Sequence, residues 1–318
     1  MSNYRFFDRL SRDAAGERRA AIAALVAGAA SIAPKHFYDP LGCALFGAIC
    51  ELPEYYPTRT ERAIFDDHRA EIVAAVGKGR QFVDLGAGDC GKAQVWIPFL
   101  TPTRYIAVDI AGDALARALA RMAPEFPWLE ATGIAADFTR GLDLAKDLGH
   151  RPTAFFYPGS SIGNFMPGDA RRFLTDIRVH CEAVDGSGLL IGVDTKKDPR
   201  RLVAAYDDAL GVTAAFNRNV LRNVNRLVAA NFDPASFRHV ALYDERHGRI
   251  EMHLEAASTQ HVRIDRTSRV FEQGERIHTE YSYKYAPHEF VALLNDAGFR
   301  DVRYWRDNAH DFAVYWAT

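Results

Sequence analysis

Short apolar runs alternate with amphipathic stretches through the middle of the chain. Gln81-Phe82-Val83-Asp84-Leu85 has the pattern of a buried strand and ends in a glycine-rich turn, Gly86-Ala87-Gly88-Asp89-Cys90-Gly91. A helix is expected over 92–100, stopped before Pro102. Tyr105-Ile106-Ala107-Val108 is the next strand, closed by Asp109, and the Ala- and Leu-rich stretch 113–122 is the next helix. Ile134-Ala135-Ala136-Asp137 gives a weaker strand and Ala154-Phe155-Phe156-Tyr157 a stronger one. Pro167 opens a helix whose Phe173, Leu174 and Ile177 share a face, and 188–194 is a further strand ending in Asp194. This β-α-β-α alternation implies a doubly wound α/β fold, a mainly parallel sheet with helices on both faces.

The flanks break the pattern. Residues 1–60 look helical, with no strand feeding a crossover. After Asp194 two helices are expected, one over 198–210 with Asp198 as N-cap and Pro199 at its first position. Residues 240–243, 249–254 and 261–264 alternate as antiparallel strands. A helix returns over 288–297, and 301–305 with 312–315 read as a closing hairpin. Two domains are therefore expected: a sheet domain of 61–194 plus 286–318, and a discontinuous α+β domain of 1–60 plus 195–285.

Composition narrows the function classes. Of 318 residues 48% are apolar and 25% charged, an ordinary globular balance. Lys+Arg 39 against Asp+Glu 41 leaves no basic excess, so no nucleic-acid partner is expected. The N-terminus carries no apolar leader, and the apolar run 20–33 falls short of the ~20 residues that a membrane span needs. The expectation is a cytoplasmic monomer that works on a small molecule away from membranes. The cysteines Cys43, Cys50, Cys90 and Cys181 lack C-x-x-C spacing, and the 11 histidines include no H-E-x-x-H cluster. Reduced thiols and no metal are expected.

Gly86, Gly88 and Gly91 spell G-x-G-x-x-G between a strand and a helix, where a ligand must approach the backbone closely. Two cofactors suit such a turn. A dinucleotide places its pyrophosphate on the helix N-terminus and an acid on its ribose about 20 residues later, a demand that Asp109 meets. S-adenosylmethionine (SAM) is favoured by three features. Asp84, just before the glycines, suits a cationic methionyl group and would repel a pyrophosphate. Asp84, Asp109 and Asp137 close successive strands, and the resemblance to SAM-dependent methyltransferases implies that such positions contact, respectively, the methionine end, the ribose hydroxyls and the adenine amine. Phe138 follows directly, in position to stack near the adenine. On this reading the sheet domain is a Rossmann-like class I SAM-methyltransferase fold, and the second domain binds the substrate.

The chain also resembles a specific family, the histidine Nα-methyltransferases of ergothioneine biosynthesis. The resemblance is carried by 37–42 (FYDPLG), 52–59 (LPEYYPTR), 159–164 (GSSIGN), 205–208 (AYDD), Phe216-Asn217, 250–254 (IEMHL) and 279–285 (TEYSYKY), in order along the chain. It implies that Asn164 and Tyr38 hold the α-amine as the catalytic pair, Tyr206 the carboxylate, and Glu280 and Ser282 the imidazole nitrogens. Tyr55 and Met252 would line the amino-acid pocket. Tyr56 and Lys92 would join Asp84, Gly86, Gly88, Asp109, Asp137 and Phe138 around SAM. The implied activity is methylation of the α-amine of histidine, up to three times, to the betaine hercynine, with S-adenosylhomocysteine (SAH) as by-product.

The residue types suit these roles. An asparagine amide both donates and accepts, as a bound amino acid requires, and a tyrosine hydroxyl can do either. A carboxylate takes an imidazole N–H in a charge-assisted bond, stronger than a neutral one. Three alternatives stay open at this level: an Nα-methyltransferase for tryptophan or tyrosine, an NAD-dependent oxidoreductase, and a SAM-binding regulator without catalysis.

Overall fold

A computed structural model describes residues 4–10 and 14–318. In chain order its strands are β1 (Tyr4–Asp8), β2 (Gln81–Leu85), β3 (Arg104–Asp109), β4 (Glu130–Ala135), β5 (Thr153–Tyr157), β6 (Gly188–Asp194), β7 (Phe237–Asp244), β8 (Arg249–Ala256), β9 (Gln260–Ile264), β10 (Thr267–Phe271), β11 (Arg276–Tyr283), β12 (Val302–Arg306) and β13 (Phe312–Ala317). The chain divides into two compact units. One comprises Met1–Ser11, Pro57–Lys196 and Lys284–Thr318, the other Arg12–Tyr56 and Lys197–Tyr283.

The first unit is built on one sheet of order β1-β4-β3-β2-β5-β6-β13-β12. Pairing is parallel from β1 through β6 and antiparallel where β13 joins β6 and β12. β2, β5 and β6 are buried along their whole length, which explains their near-continuous apolar runs. Helices Gly91–Leu100, Gly112–Met122 and Pro167–Glu182 make crossovers between parallel strands. Strand order runs outward from β2 through β3 to β4 on one side and through β5 to β6 on the other. The switch point therefore lies between β2 and β5, and ligands of such sheets bind beyond the strand ends there.

The second unit packs helices Pro40–Cys50 and Val212–Val228 with two small antiparallel sheets, β11-β8-β7 and β10-β9. Burial alternates strictly along β8, so Ile250, Met252, Leu254 and Ala256 enter the core with Phe216, Val220 and Val224. Each large side chain so buried contributes ~1.5–3 kcal/mol.

Four expectations need correction. Residues 4–8 form a strand, not a helix, and it pairs with β4. The deciding features are the alternation of Tyr4 and Phe6 and the room at Gly133, where a Cβ would come within 2.8 Å of the Phe6 ring. β4 runs earlier than its apolar residues suggest, because Glu130 to Thr132 register against Arg104 to Ile106 of β3. Asp137 consequently lies beyond the strand. The helix that starts at Asp198 is capped as expected, by Arg200 N–H donating to the Asp198 carboxylate at 2.9 Å, but it ends at Ala204. The apolar run 20–33 leaves its helix at Val26, and Ser31 bridges to His278 instead.

Among the described residues, no helix is long and apolar enough to cross a membrane. No three His, Cys, Asp or Glu side chains among them gather in a group able to hold a metal ion.

Candidate active site

In the first unit, β2 delivers Asp84 and the glycine turn. Gly86 (φ +70°) and Gly88 (φ +54°) occupy the left-handed region that other residues resist. The Gly86 and Ala87 amides donate to the Val108 carbonyl at 2.8 and 3.2 Å. Gly88 N–H donates to one oxygen of Asp109 at 2.8 Å, and Ala111 N–H to the other at 2.7 Å. Asp109 thus ends β3 and also holds the loop in shape; burial raises its pKa and these amide bonds oppose the rise.

Asp84 is 2% exposed and accepts a hydrogen bond from the Tyr105 hydroxyl at 2.8 Å. Burial pushes its pKa up to about 7, against the opposing pull of that bond. Asp137 caps the turn Phe138–Arg140, accepting from Thr139 N–H at 3.2 Å. The half-buried Phe138 ring lies 5.6 Å from Phe173 and 6.0 Å from Tyr157. A Cβ on Gly86 would stand 3.9 Å from it, and one on Gly88 would meet nothing within 4 Å.

One residue of this region is invisible to motif reading. Glu61, on helix Tyr56–Asp67, is 1% exposed. It accepts from Lys92 Nζ at 2.6 Å and from Gly159 N–H at 2.7 Å. Its room comes from Gly192 in the middle of β6, where a Cβ would fall 2.0 Å from Glu61 Oε1. That mid-strand glycine is the one sign in the sequence, since such a glycine marks close approach by another group. Glu61 therefore ties the helix after the glycine loop to the loop after β5. That second loop is held again at Ser160 (φ +59°), whose hydroxyl accepts from Asp194 N–H at 2.9 Å. It ends in the turn Ser161–Asn164, which leaves Asn164 half-buried. The Asp194 side chain pairs with Lys284 at 2.8 Å, both fully buried.

The second unit gathers aromatic and polar side chains from distant parts of the sequence. The Tyr206 hydroxyl and Ser282 Oγ are hydrogen-bonded at 2.7 Å in a buried position. The Tyr55 ring meets Tyr206 and Phe46 edge-on, with centroids 6.2 and 6.3 Å away. Tyr38 meets Phe46 and Phe216 the same way, at 6.2 and 6.3 Å. Burial holds the Tyr55 hydroxyl well above its usual pKa, with Tyr206, Cys50, Glu280 and Tyr38 adding to the effect. Glu280 and Ser282 are buried on β11, opposite Met252 and Ile250 of β8. A bulge between His278 and Glu280 sets that register, and the Thr279 hydroxyl donates to the Met252 carbonyl at 3.0 Å.

Two of the expected site residues stand in the unit opposite to their expected ligand: Tyr56 belongs to the second unit and Asn164 to the first. The Tyr56 hydroxyl accepts from Lys197 Nζ at 2.7 Å, and Arg201 lies 4.8 Å over its ring.

The family model described as "Histidine-specific methyltransferase, SAM-dependent" matches residues 17–318. The chain belongs to this family. It is 41% identical to the histidine N-alpha-methyltransferase of Mycolicibacterium smegmatis, over 99% of this chain and 97% of that protein. Identity to the histidine N-alpha-methyltransferase of Mycobacterium tuberculosis is 38%, over 89% of each chain. Ergothioneine biosynthesis protein 1 of Neurospora crassa is 30% identical over 84% of this chain, a match that spans 31% of that larger protein.

Membership in the histidine-specific methyltransferases settles the glycine loop. The cofactor is SAM, the fold is that of a class I SAM-dependent methyltransferase, and the NAD-dependent reading has no support. The residues at the loop fit this cofactor: Asp84 is a buried acid suited to a cationic group, and the space beside Gly88 is open.

Proposed function

We propose that this methyltransferase transfers methyl groups to the α-amine of L-histidine, three times in succession, to give the trimethylated betaine. The observation that carries the substrate is Glu280. It is a buried carboxylate on the same face of β11 as Ser282, which is hydrogen-bonded to Tyr206, and it is close enough to help raise the pKa of the Tyr55 hydroxyl. A carboxylate accepts an imidazole N–H in a charge-assisted bond, stronger than a neutral one. A neutral imidazole can give its N–H to Glu280 and take the Ser282 hydroxyl on its bare nitrogen, whereas an indole offers only a donor and a phenol carries donor and acceptor on one atom.

SAM supplies a methyl group bound to a sulfonium and leaves as SAH. The α-amine accepts the methyl only when neutral, so the nitrogen, an ammonium at the outset, must lose one proton before each of the three transfers. Asn164 and Tyr38 orient the amine, Tyr206 receives the carboxylate, and Glu280 with Ser282 holds the ring. Alignment at near-attack distance is the main contribution the chain makes. The Tyr55 hydroxyl, with its pKa driven up by burial, stays protonated and serves as a hydrogen-bond donor. Tyrosine faces near the nitrogen stabilise the growing cation by about 0.5–2 kcal/mol. In the first unit Asp84 takes the methionyl ammonium, Asp109 the ribose, Asp137 and Phe138 the adenine, and Lys92 the methionyl carboxylate end.

Calorimetric titration of histidine, tryptophan and tyrosine into the protein saturated with SAH tests this reading. Histidine alone is expected to bind, with mass spectrometry then counting three added methyls. Selective binding of tryptophan or tyrosine would overturn the substrate assignment.

A further inference from the structure

The segment Ala205-Tyr206-Asp207-Asp208 does more than present the Tyr206 hydroxyl. Asp208 accepts from Val212 N–H at 2.9 Å and from Thr213 N–H at 2.7 Å, capping helix Val212–Val228. That helix carries Asn217, which is fully buried. The Asn217 side-chain nitrogen lies 3.0 Å from the His253 carbonyl and 2.8 Å from His239 Nδ1. On the other side of the ring, His239 Nε2 lies 2.7 Å from the backbone carbonyl of Tyr206.

Hydrogen-bond logic fixes every proton in this chain. A backbone carbonyl only accepts, so the Asn217 NH2 must face His253. Its second hydrogen then points at His239 Nδ1, which must be bare. The single ring proton therefore sits on Nε2 and is donated to the Tyr206 carbonyl. Flipping the amide would set Asn217 Oδ1 against the His253 oxygen, two acceptors face to face.

We infer that His239, held by Asn217 as the Nε2–H tautomer, is a positioning residue for Tyr206 and so for the amino-acid carboxylate. The inference rests on the reading of Tyr206 as the carboxylate-binding residue. His239 has a side chain only 2% exposed, and burial lowers its pKa, so it stays neutral. The charged groups facing it are Asp207, whose Oδ1 is 3.9 Å from Nε2, with Asp208 on the same segment and Arg218 on the helix; the acids raise its pKa and the arginine lowers it. Tyr206 is thereby held at both ends, its carbonyl by His239 and its hydroxyl by Ser282.

The test uses the full chain saturated with SAH. His239→Leu removes the N–H that the Tyr206 carbonyl accepts and is expected to weaken histidine binding about tenfold, the usual cost of one lost buried hydrogen bond. SAH affinity should stay within about twofold, as expected when a substitution acts on only one of two sites. His239→Gln keeps a donor at the same place and should restore most of the loss. The 15N spectrum of histidine-labelled protein should show His239 as the neutral Nε2–H tautomer between pH 6 and 8. Asn217→Asp, which places a carboxylate at Nδ1, should add a second ring proton there and make His239 an imidazolium in that variant alone, and this reports on the Asn217 contact if His239→Leu does not fold. The inference is overturned if His239→Leu binds histidine normally while Tyr206→Phe does not. It is equally overturned if histidine and SAH affinities fall together, or if His239 is an Nδ1–H tautomer or an imidazolium. Unchanged histidine binding by Tyr206→Phe would instead condemn the assignment of Tyr206 itself, and the functional half of the inference with it.

Discussion

The glycine loop of the first unit and the aromatic cluster of the second are built by different means. Around the loop, the backbone does most of the work: positive φ at Gly86 and Gly88, amides that donate to Val108 and Asp109, and acids at or just past strand ends. In the cluster, side chains do it. Tyr38, Tyr55, Tyr206, Glu280 and Ser282 come from four separate segments and meet through ring edges and one buried hydroxyl pair. Backbone geometry leaves a compact trace in the sequence, whereas a cluster assembled from distant segments leaves almost none. The contrast also sorts the expected losses. Damage at the loop should be read in cofactor affinity, and damage in the cluster in amino-acid affinity and specificity.

Asn164 gives the strongest way to break this division, because it sits in the first unit but is assigned to the amine. Asn164→Ala should lower kcat by roughly 10²-fold, the penalty of a misplaced nucleophile, with SAH affinity within about twofold of the parent. Calorimetry beside initial rates decides it; a collapse of SAH binding with unchanged histidine affinity would return Asn164 to the cofactor.

Glu280 sharpens the other half. Glu280→Gln should reduce kcat/KM for histidine on the order of 10–100-fold, as loss of a charge-assisted bond implies. SAH affinity, measured by calorimetry, should be unaffected. A parallel loss of SAH affinity would assign Glu280 a structural part.

The smallest effect concerns pH. Asp84 has a pKa near 7 when buried and an ordinary value of 3.8, so the folded protein holds an extra proton between those values. Stability without ligand should fall as pH rises across that window, because ionisation is then paid in the buried state. A methionyl ammonium favours the charged carboxylate, so SAH affinity should climb with pH, by at most about tenfold per unit, and level off above 7. Asp84→Asn should flatten the dependence; a slope that survives it would place the titrating group elsewhere.

How much was legible follows from the same contrast. The strands over 81–85, 153–157 and 188–194 were readable because each is buried on both faces. Asp84, Asp109 and the glycines were readable from their places at strand ends. Strand β1 was not, being short and paired to a strand far along the chain. Glu280 was ambiguous for a sharper reason. Counting by twos from the buried Ile277 puts Thr279, Tyr281 and Tyr283 inward and Glu280 outward. The bulge at Thr279 resets the count, so that Glu280 and Ser282 face inward and Tyr281 pairs across from Glu251. Nothing in a period-two pattern announces such a reset. Glu61 left only the indirect sign of Gly192, because its partners lie on other segments and none is its neighbour in sequence.

The placement of β13 beside β6 has a consequence for synthesis. β6 leaves the ribosome at Asp194, but the strand that covers its edge begins at Phe312, after the whole insertion 197–283 has been made. Through that interval the nascent sheet presents the open edge of a strand that is apolar from Gly188 to Val193, the kind of edge that invites pairing with a wrong partner. Truncations that end before 312 should therefore aggregate in translation extracts more than chains that include Phe312–Ala317.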